Sequence, residues 1–376
     1  MMNRRLCLHS AGAAALACVG APAFGQSSGK IIIGQSAALS GPASALGEQF
    51  RSGARLVFDR VNARGGIGGR AIELRSLDDG YEPERCAANT RKLIDDGAFA
   101  LFGYIGTPTS LAALPIINAA KLPFIAPFTG AESLRAPFNR YAFHVRASYF
   151  NETAEIVKQV TSVGIKRIGV FYQNDSYGKA GLEGVTRALQ PLGLPTAGLG
   201  TVERNTVDVD AAVTSILAGK PDAIVQISAY KSCAAFIRAA RKAGFIGTLY
   251  NVSFVGTQAL VKELGADARS VVVAQVMTYP FAATSALAAE YLAAGSTGAG
   301  FKPNYSSIEG FVAAKTLVEG LRRAGNGLSH DSLISGLESL HEFNLGGFFV
   351  DFSAQKHTGS KYVDMTILTA DGSVRR

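Results

Sequence analysis

Short apolar runs rich in Ile, Val and Phe alternate along this chain with stretches of helical periodicity, in two consecutive sets. Residues 30–38 form an isoleucine-dense run of the kind that suits a strand covered on both faces. Residues 45–61 follow with helical spacing, and Phe50, Ala54, Val57, Phe58 and Val61 share one face. A glycine-rich turn at 65–69 leads into a strand over 71–77 and a helix over 84–94. A strand over 98–105, a helix over 107–119 and short strands over 123–126 and 141–145 complete the set. The pattern restarts with strands over 167–172, 196–202, 223–227, 248–252 and 271–276. Helices alternate with them, one ending near Leu189 and others over 209–217 and 233–243. This predicts parallel sheets with helices on both faces, arranged as two doubly wound α/β lobes. At 376 residues the chain is long enough to give each lobe its own core. No Pro- or Ser-rich tether separates the sets, so several short crossings are expected.

The N-terminus reads as an export signal over residues 1–25. Arg4 and Arg5 precede a short Ala- and Gly-rich apolar stretch, and Ala23 and Gly25 suit the −3 and −1 positions of a cleavage site. The expected location is the periplasm, by the Sec route or, with Arg4-Arg5 followed by Leu8, the twin-arginine route. No other apolar run approaches the roughly 20 residues of a membrane span. Beyond the signal only Cys86 and Cys233 remain, one in each set, and they are expected as buried free thiols. The net charge of +8 comes from interspersed residues of both signs and gives no dedicated nucleic-acid surface.

Catalytic and cofactor signatures fail on context. Gly66 to Ala71 matches a dinucleotide glycine pattern but follows a helix and enters a strand, the reverse of what a pyrophosphate site needs. Ser228 and Lys231 fit Ser-x-x-Lys without the middle box of penicillin-recognising enzymes. His144, His330, His341 and His357 are scattered, with no ligand spacing for a metal. No cofactor, no metal and no enzymatic activity are expected.

Ligands of open α/β sheets sit beyond the carboxyl ends of the strands. Three such junctions of the first set carry hydroxyls: Ser40, the segment from Thr107 to Ser110, and Thr129 after Phe128. Thr107 suits an N-cap and Pro108 the first helical position, while Ser110 supplies no capping-box acid. Free N–H groups, the helix dipole and the Thr107 hydroxyl then make a carboxylate-sized anion site.

The sequence resembles the leucine/isoleucine/valine-binding group of type I periplasmic receptors of ABC transporters. The resemblance runs through Ile33 to Pro42, Gly47, Gly53-Ala54, Asn62, Gly65 to Ile67 with Gly69, Asp78-Asp79, and Gly103 to Ser110. It continues through Pro123 to Thr129, Asp175 to Gly178 and Arg238 to Gly244. It implies two Rossmann-like lobes joined by three hinge crossings, residues 29–147 with 278–359 in one and 148–277 with 360–376 in the other. It implies a monomer that closes on a small carboxylate-bearing ligand, an amino acid or an aromatic or short organic acid, and then meets the permease subunits of an importer. By the same resemblance Thr107, Phe128 and Thr129 hold the ligand, Leu46 lies over its side chain, and Tyr230 or its neighbour Ala229 supplies the pocket tyrosine. Relatives that bind α-amino acids usually place an acid after the strand at 248–252, where this chain has Ser253. A buried ammonium without a counter-charge is costly, so a ligand lacking one stays open. Tyr149, just past the first crossing, is a further candidate for the pocket wall. Two other functions remain open at this point: an amide or metabolite sensor of the same fold signalling to a partner protein, and a secreted hydrolase using Ser228 and Lys231.

Overall fold

The computed structural model describes residues 29–296, 298 and 300–376. The export signal expected at 1–25 lies outside the described residues. The first lobe starts with β1 (Ile31–Ala37), α1 (Ser44–Asn62), β2 (Ile72–Asp78) and α2 (Pro83–Asp95). It continues with β3 (Ala100–Phe102), α3 (Thr107–Ala120), β4 (Phe124–Ile125) and β5 (Ala142–Phe143). The sheet order is β2-β1-β3-β4-β5 and every pairing is parallel. The apolar face read on the second segment is the buried face of α1, including Phe50, Ala54, Val57, Phe58 and Val61.

After β5 the chain enters the second lobe through α4 (Tyr149–Ser162), β6 (Ile168–Gln173), α5 (Ser176–Leu189), β7 (Thr196–Val202) and α6 (Asp210–Ala218). The elements β8 (Ala223–Ile227), α7 (Tyr230–Lys242), β9 (Thr248–Asn251), α8 (Thr257–Leu264) and β10 (Val271–Gln275) follow. Its parallel strands run β7-β6-β8-β9-β10, the same winding as the first sheet. The chain then returns with α9 (Ala286–Gly295), α10 (Tyr305–Ala324), α11 (His330–Glu338) and the small hairpin β11 (Phe343–Asn344) and β12 (Phe349–Val350). Finally β13 (Asp364–Leu368) and β14 (Val374–Arg375) extend the second sheet, antiparallel beside β10. The two lobes are thus doubly wound and joined by three crossings.

Helix α10 lies along α1 at very short range. A Cβ at Gly53 would fall 1.7 Å from the Ser307 carbonyl oxygen, and one at Gly310 would fall 2.0 Å from that of Phe50. This contact ties the returning segment to the first lobe. The sequence reading assigned no element to 149–162, 257–264 or 278–359. Helix α10 is buried around most of its circumference, so one-sided periodicity is absent from it. Helix α7 also begins a turn earlier than expected, at Tyr230. Cys86 and Cys233 are free and buried, the first in α2 and the second in α7.

Candidate ligand-binding site

The carboxyl edge of the first sheet is where its hydroxyls converge. The Gly106 amide donates to the Phe128 carbonyl at 3.2 Å, and the Phe128 amide to the Tyr104 carbonyl at 2.7 Å. The loops after β3 and β4 therefore run side by side. Thr107 and Thr129 meet with their hydroxyl oxygens 2.6 Å apart, both fully buried. The Thr129 hydroxyl also accepts from the Ala131 amide at 3.2 Å and lies 3.4 Å from the Tyr149 hydroxyl. Burial pushes the Tyr149 phenol up to about 12, so it stays protonated and able to donate.

One expectation is corrected here. Thr107 is not the N-cap of α3 but its first residue, and the cap is Gly106, at φ +97° with no side chain to close the end. Only glycine serves there: besides the left-handed backbone, a Cβ would fall 2.2 Å from the Tyr81 ring. The first-turn amides find no carbonyl four residues back within the helix, so the tip keeps its anion-binding character.

Aromatic side chains from both lobes wall this edge. The Phe254 ring, in a short turn after β9, has its centroid 4.6 Å from Tyr177, 5.6 Å from Phe128 and 5.8 Å from Tyr81. The Tyr149 and Tyr177 rings are 5.3 Å apart. Tyr81 takes a positive φ of 65°, uncommon for a bulky residue and typical of functional loops. The lobes touch across the cleft. The Gln173 amide nitrogen donates to the Tyr81 hydroxyl at 3.2 Å, Arg204 pairs with Glu82 at 2.8 Å, and Asn205 donates to Glu82 at 2.7 Å. Leu46 is buried against Gly256, where a Cβ would fall 2.4 Å from its methyl carbon. The Tyr230 hydroxyl accepts from the Ala45 amide at 3.4 Å.

A charged cluster closes the hinge side. Arg146, between β5 and α4, is buried; its guanidinium lies 3.5 Å from both Glu152 and Glu309 and 4.8 Å over the Phe128 ring. It also donates to the Ser253 hydroxyl. Glu152 accepts from the Ser253 amide at 2.6 Å and its hydroxyl at 3.0 Å. Burial raises Glu309 to about 7 against the opposing charge of Arg146. A carboxyl raised this way holds its proton in the folded state after the unfolded chain has released it. Between about 4.5 and about 7 the native state then binds more protons, so the Glu309 contribution makes stability fall as pH rises. Urea unfolding at about pH 5 and about pH 8 should show a smaller loss for Glu309→Gln than for the wild type. An equal loss in both would contradict this assignment.

The structure brings Leu46, Thr107, Phe128, Thr129, Tyr149, Tyr230 and Ser253 to the cleft between the lobes. Ser40 stands apart: it is exposed, and its hydroxyl donates to Asp78 at 2.5 Å, fastening the β1–α1 loop. Ser228 is buried, and its hydroxyl has no hydrogen-bond partner, Lys231 included, among the described residues. Tyr81, Arg146, Glu152, Tyr177, Phe254 and Glu309 were missed in the sequence. Tyr177 had a signal, since Asp175 caps α5 and the Asp-Ser-Tyr-Gly turn aims the next side chain inward. Glu309 had none, because α10 reaches the hinge only through tertiary packing.

Residues 30–373 match a family described as periplasmic binding protein. A possible leucine/isoleucine/valine-binding protein from Rhodopirellula baltica is 33% identical, with a TM-score of 0.89 over 94% of this chain and 97% of that one. An amino acid binding protein from Pseudomonas aeruginosa is 26% identical over 240 residues, 62% of this chain. This chain spans 63% of the length of that relative. A Leu/Ile/Val-binding protein homolog from Brucella abortus is 24% identical over 318 residues, 80% of this chain and 78% of its own.

Proposed function

Because the chain belongs to the periplasmic binding protein family, of the leucine/isoleucine/valine-binding type, we propose that it is the solute receptor of an ABC importer. It takes a small carboxylate-bearing solute into the cleft and converts nothing. The observation that carries this reading is the buried Thr107–Thr129 hydroxyl pair at the open tip of α3, facing the aromatic wall of the other lobe. The names of the relatives, which refer to amino acids and to leucine, isoleucine and valine, support a solute of this size.

The solute carboxylate meets the first lobe at Thr107, Thr129 and the first-turn amides. The second lobe then closes, bringing Tyr177, Tyr230 and Phe254 over the solute. Closure follows because the solute gains contacts in the closed form that the open form lacks. The closing units are residues 29–147 with 278–359 and residues 148–277 with 360–376. The closed face docks on the permease subunits, and the chain reaches the periplasm through its N-terminal signal as a monomer.

Thr107→Val keeps the side-chain shape and removes the hydroxyl. Calorimetric titration with leucine, isocaproate, phenylalanine and hydrocinnamate should show affinity falling about 10- to 100-fold for each acid that binds the wild type. The melting temperature of the unliganded protein should be nearly unchanged. Undiminished affinity in the variant would remove Thr107 from the site.

A further inference from the structure

The first lobe holds a cavity of about 390 Å³ outside the cleft, walled by α1, α9, α10 and the turn that follows β11. Small-molecule sites run from roughly 300 to 1,000 Å³, so the size suits a compact ligand. Val57 lines the cavity and lies about 16 Å further along the α1 axis than Leu46, at a rise of roughly 1.5 Å per residue. The cavity is therefore at the opposite end of α1 from the solute cleft. Its floor is apolar, made by the buried side chains of Val57, Val61, Phe311, Val318 and Leu345. The walls are fixed in place. Asn344 Oδ1 accepts from the Gly346 and Gly347 amides at 2.9 and 2.7 Å, and the Leu287 amide donates to the Gly346 carbonyl at 2.9 Å. The turn thus sits directly on α9. A Cβ at Gly346, where φ is +97°, would fall 2.7 Å from the Leu287 nitrogen.

The rim is cationic. Arg60, Arg64, Lys315 and Arg322 line the cavity, against the two acids Glu290 and Glu319. Both acids are already committed: Glu290 pairs with Arg60 at 3.5 Å and with Lys315, and Glu319 pairs with Arg322 at 3.8 Å and with Arg323 at 2.9 Å. Arg64 is exposed and makes no ion pair or side-chain hydrogen bond among the described residues. Four cations less two acids leave two positive charges in excess over an apolar floor. Such a surface attracts anions and repels cations. We propose that this cavity is a second small-molecule site, separate from the cleft, for an amphipathic monoanion whose acid group meets Arg64 at the rim and whose acyl chain or ring lies on the apolar floor. The proposal does not depend on the receptor reading. The site opens to solvent, so its occupant exchanges during purification, unlike a solute enclosed by both lobes.

The test is displacement of the fluorescent probe anilinonaphthalenesulfonate from the purified protein by octanoate, octanol and octylamine at low ionic strength. Octanoate should compete at least about 10-fold more strongly than octanol, and octylamine more weakly than either. Arg64→Glu, at an exposed position, should weaken octanoate about 10-fold and leave octanol unchanged. Ala286→Trp, which places a large ring at the exposed mouth of the cavity, should weaken octanoate and octanol alike. Thr107→Val should change neither. Equal competition by octanoate and octanol overturns the anion preference and with it the proposal. Octanoate binding that is lost in Thr107→Val but unchanged in Arg64→Glu and Ala286→Trp belongs to the cleft; it overturns the second site and leaves the receptor reading standing. Failure of octanoate to displace the probe also overturns the second site, with no bearing on the cleft.

Discussion

Replacing Arg146 with methionine is expected to lower the free energy of unfolding by about 3–5 kcal/mol at neutral pH, among the largest single-residue effects in this protein. The side chain is 1% exposed and lies between Glu152 and Glu309, themselves buried. Methionine fills much of the volume but removes the cation that offsets the burial of Glu152 and Glu309, so keeping either acid ionised there becomes costly. Taking away one partner of a buried ion cluster costs far more than the intact cluster contributes. Burial alone would lower the Arg146 pKa, and the two carboxylates reverse that, so the guanidinium stays charged. The deficit should shrink in acid, where Glu309 takes up a proton. Combining Arg146→Met with Glu152→Gln and Glu309→Gln should recover most of the loss. Urea melts of the single and triple variants check both expectations. A single variant as stable as the wild type would mean that the cluster does not hold the hinge.

The second large effect concerns closure. Phe254 belongs to the second lobe, but its ring packs on Tyr81 and Phe128 of the first. A buried Phe→Ala change costs about 3–5 kcal/mol, and here part of that falls on the equilibrium between closed and open forms. A share of about 2 kcal/mol would move that equilibrium roughly 30-fold toward the open form. Small-angle scattering should give Phe254→Ala a larger radius of gyration than the unliganded wild type. The exposed part of the latch, Arg204 with Glu82, is worth much less, because a partly solvated ion pair contributes little. An unchanged radius in Phe254→Ala would show that the aromatic wedge does not set the closure equilibrium.

The strands and the one-sided helices were legible because period and burial agree in them: β1 is a buried isoleucine run, and α1 shows one apolar face. The same logic fails for α10, where Ser306, Ser307, Glu309 and Thr316 are buried among apolar neighbours and no face reads as exposed. The first-lobe half of the site was legible for a similar reason. Thr107 and Thr129 follow adjacent parallel strands, so strand order alone brings their hydroxyls to one edge. The cap of α3 was misread by one residue, since threonine is a good cap by type and the left-handed turn at Gly106 leaves no trace in periodicity. The charged cluster joins residues 146, 152, 253 and 309, which no local pattern connects. Even Tyr81, on a loop already singled out for Asp78-Asp79, has a left-handed backbone that no periodicity reveals.

Native mass spectrometry of the protein purified from the periplasm tests the central claim most directly. The account predicts a single non-covalent adduct per chain, a small carboxylate-bearing compound, retained by the wild type and lost from Thr107→Val. A chain that carries no adduct and gives no heat with any small carboxylate would contradict it, as would an adduct held equally well without the Thr107 hydroxyl.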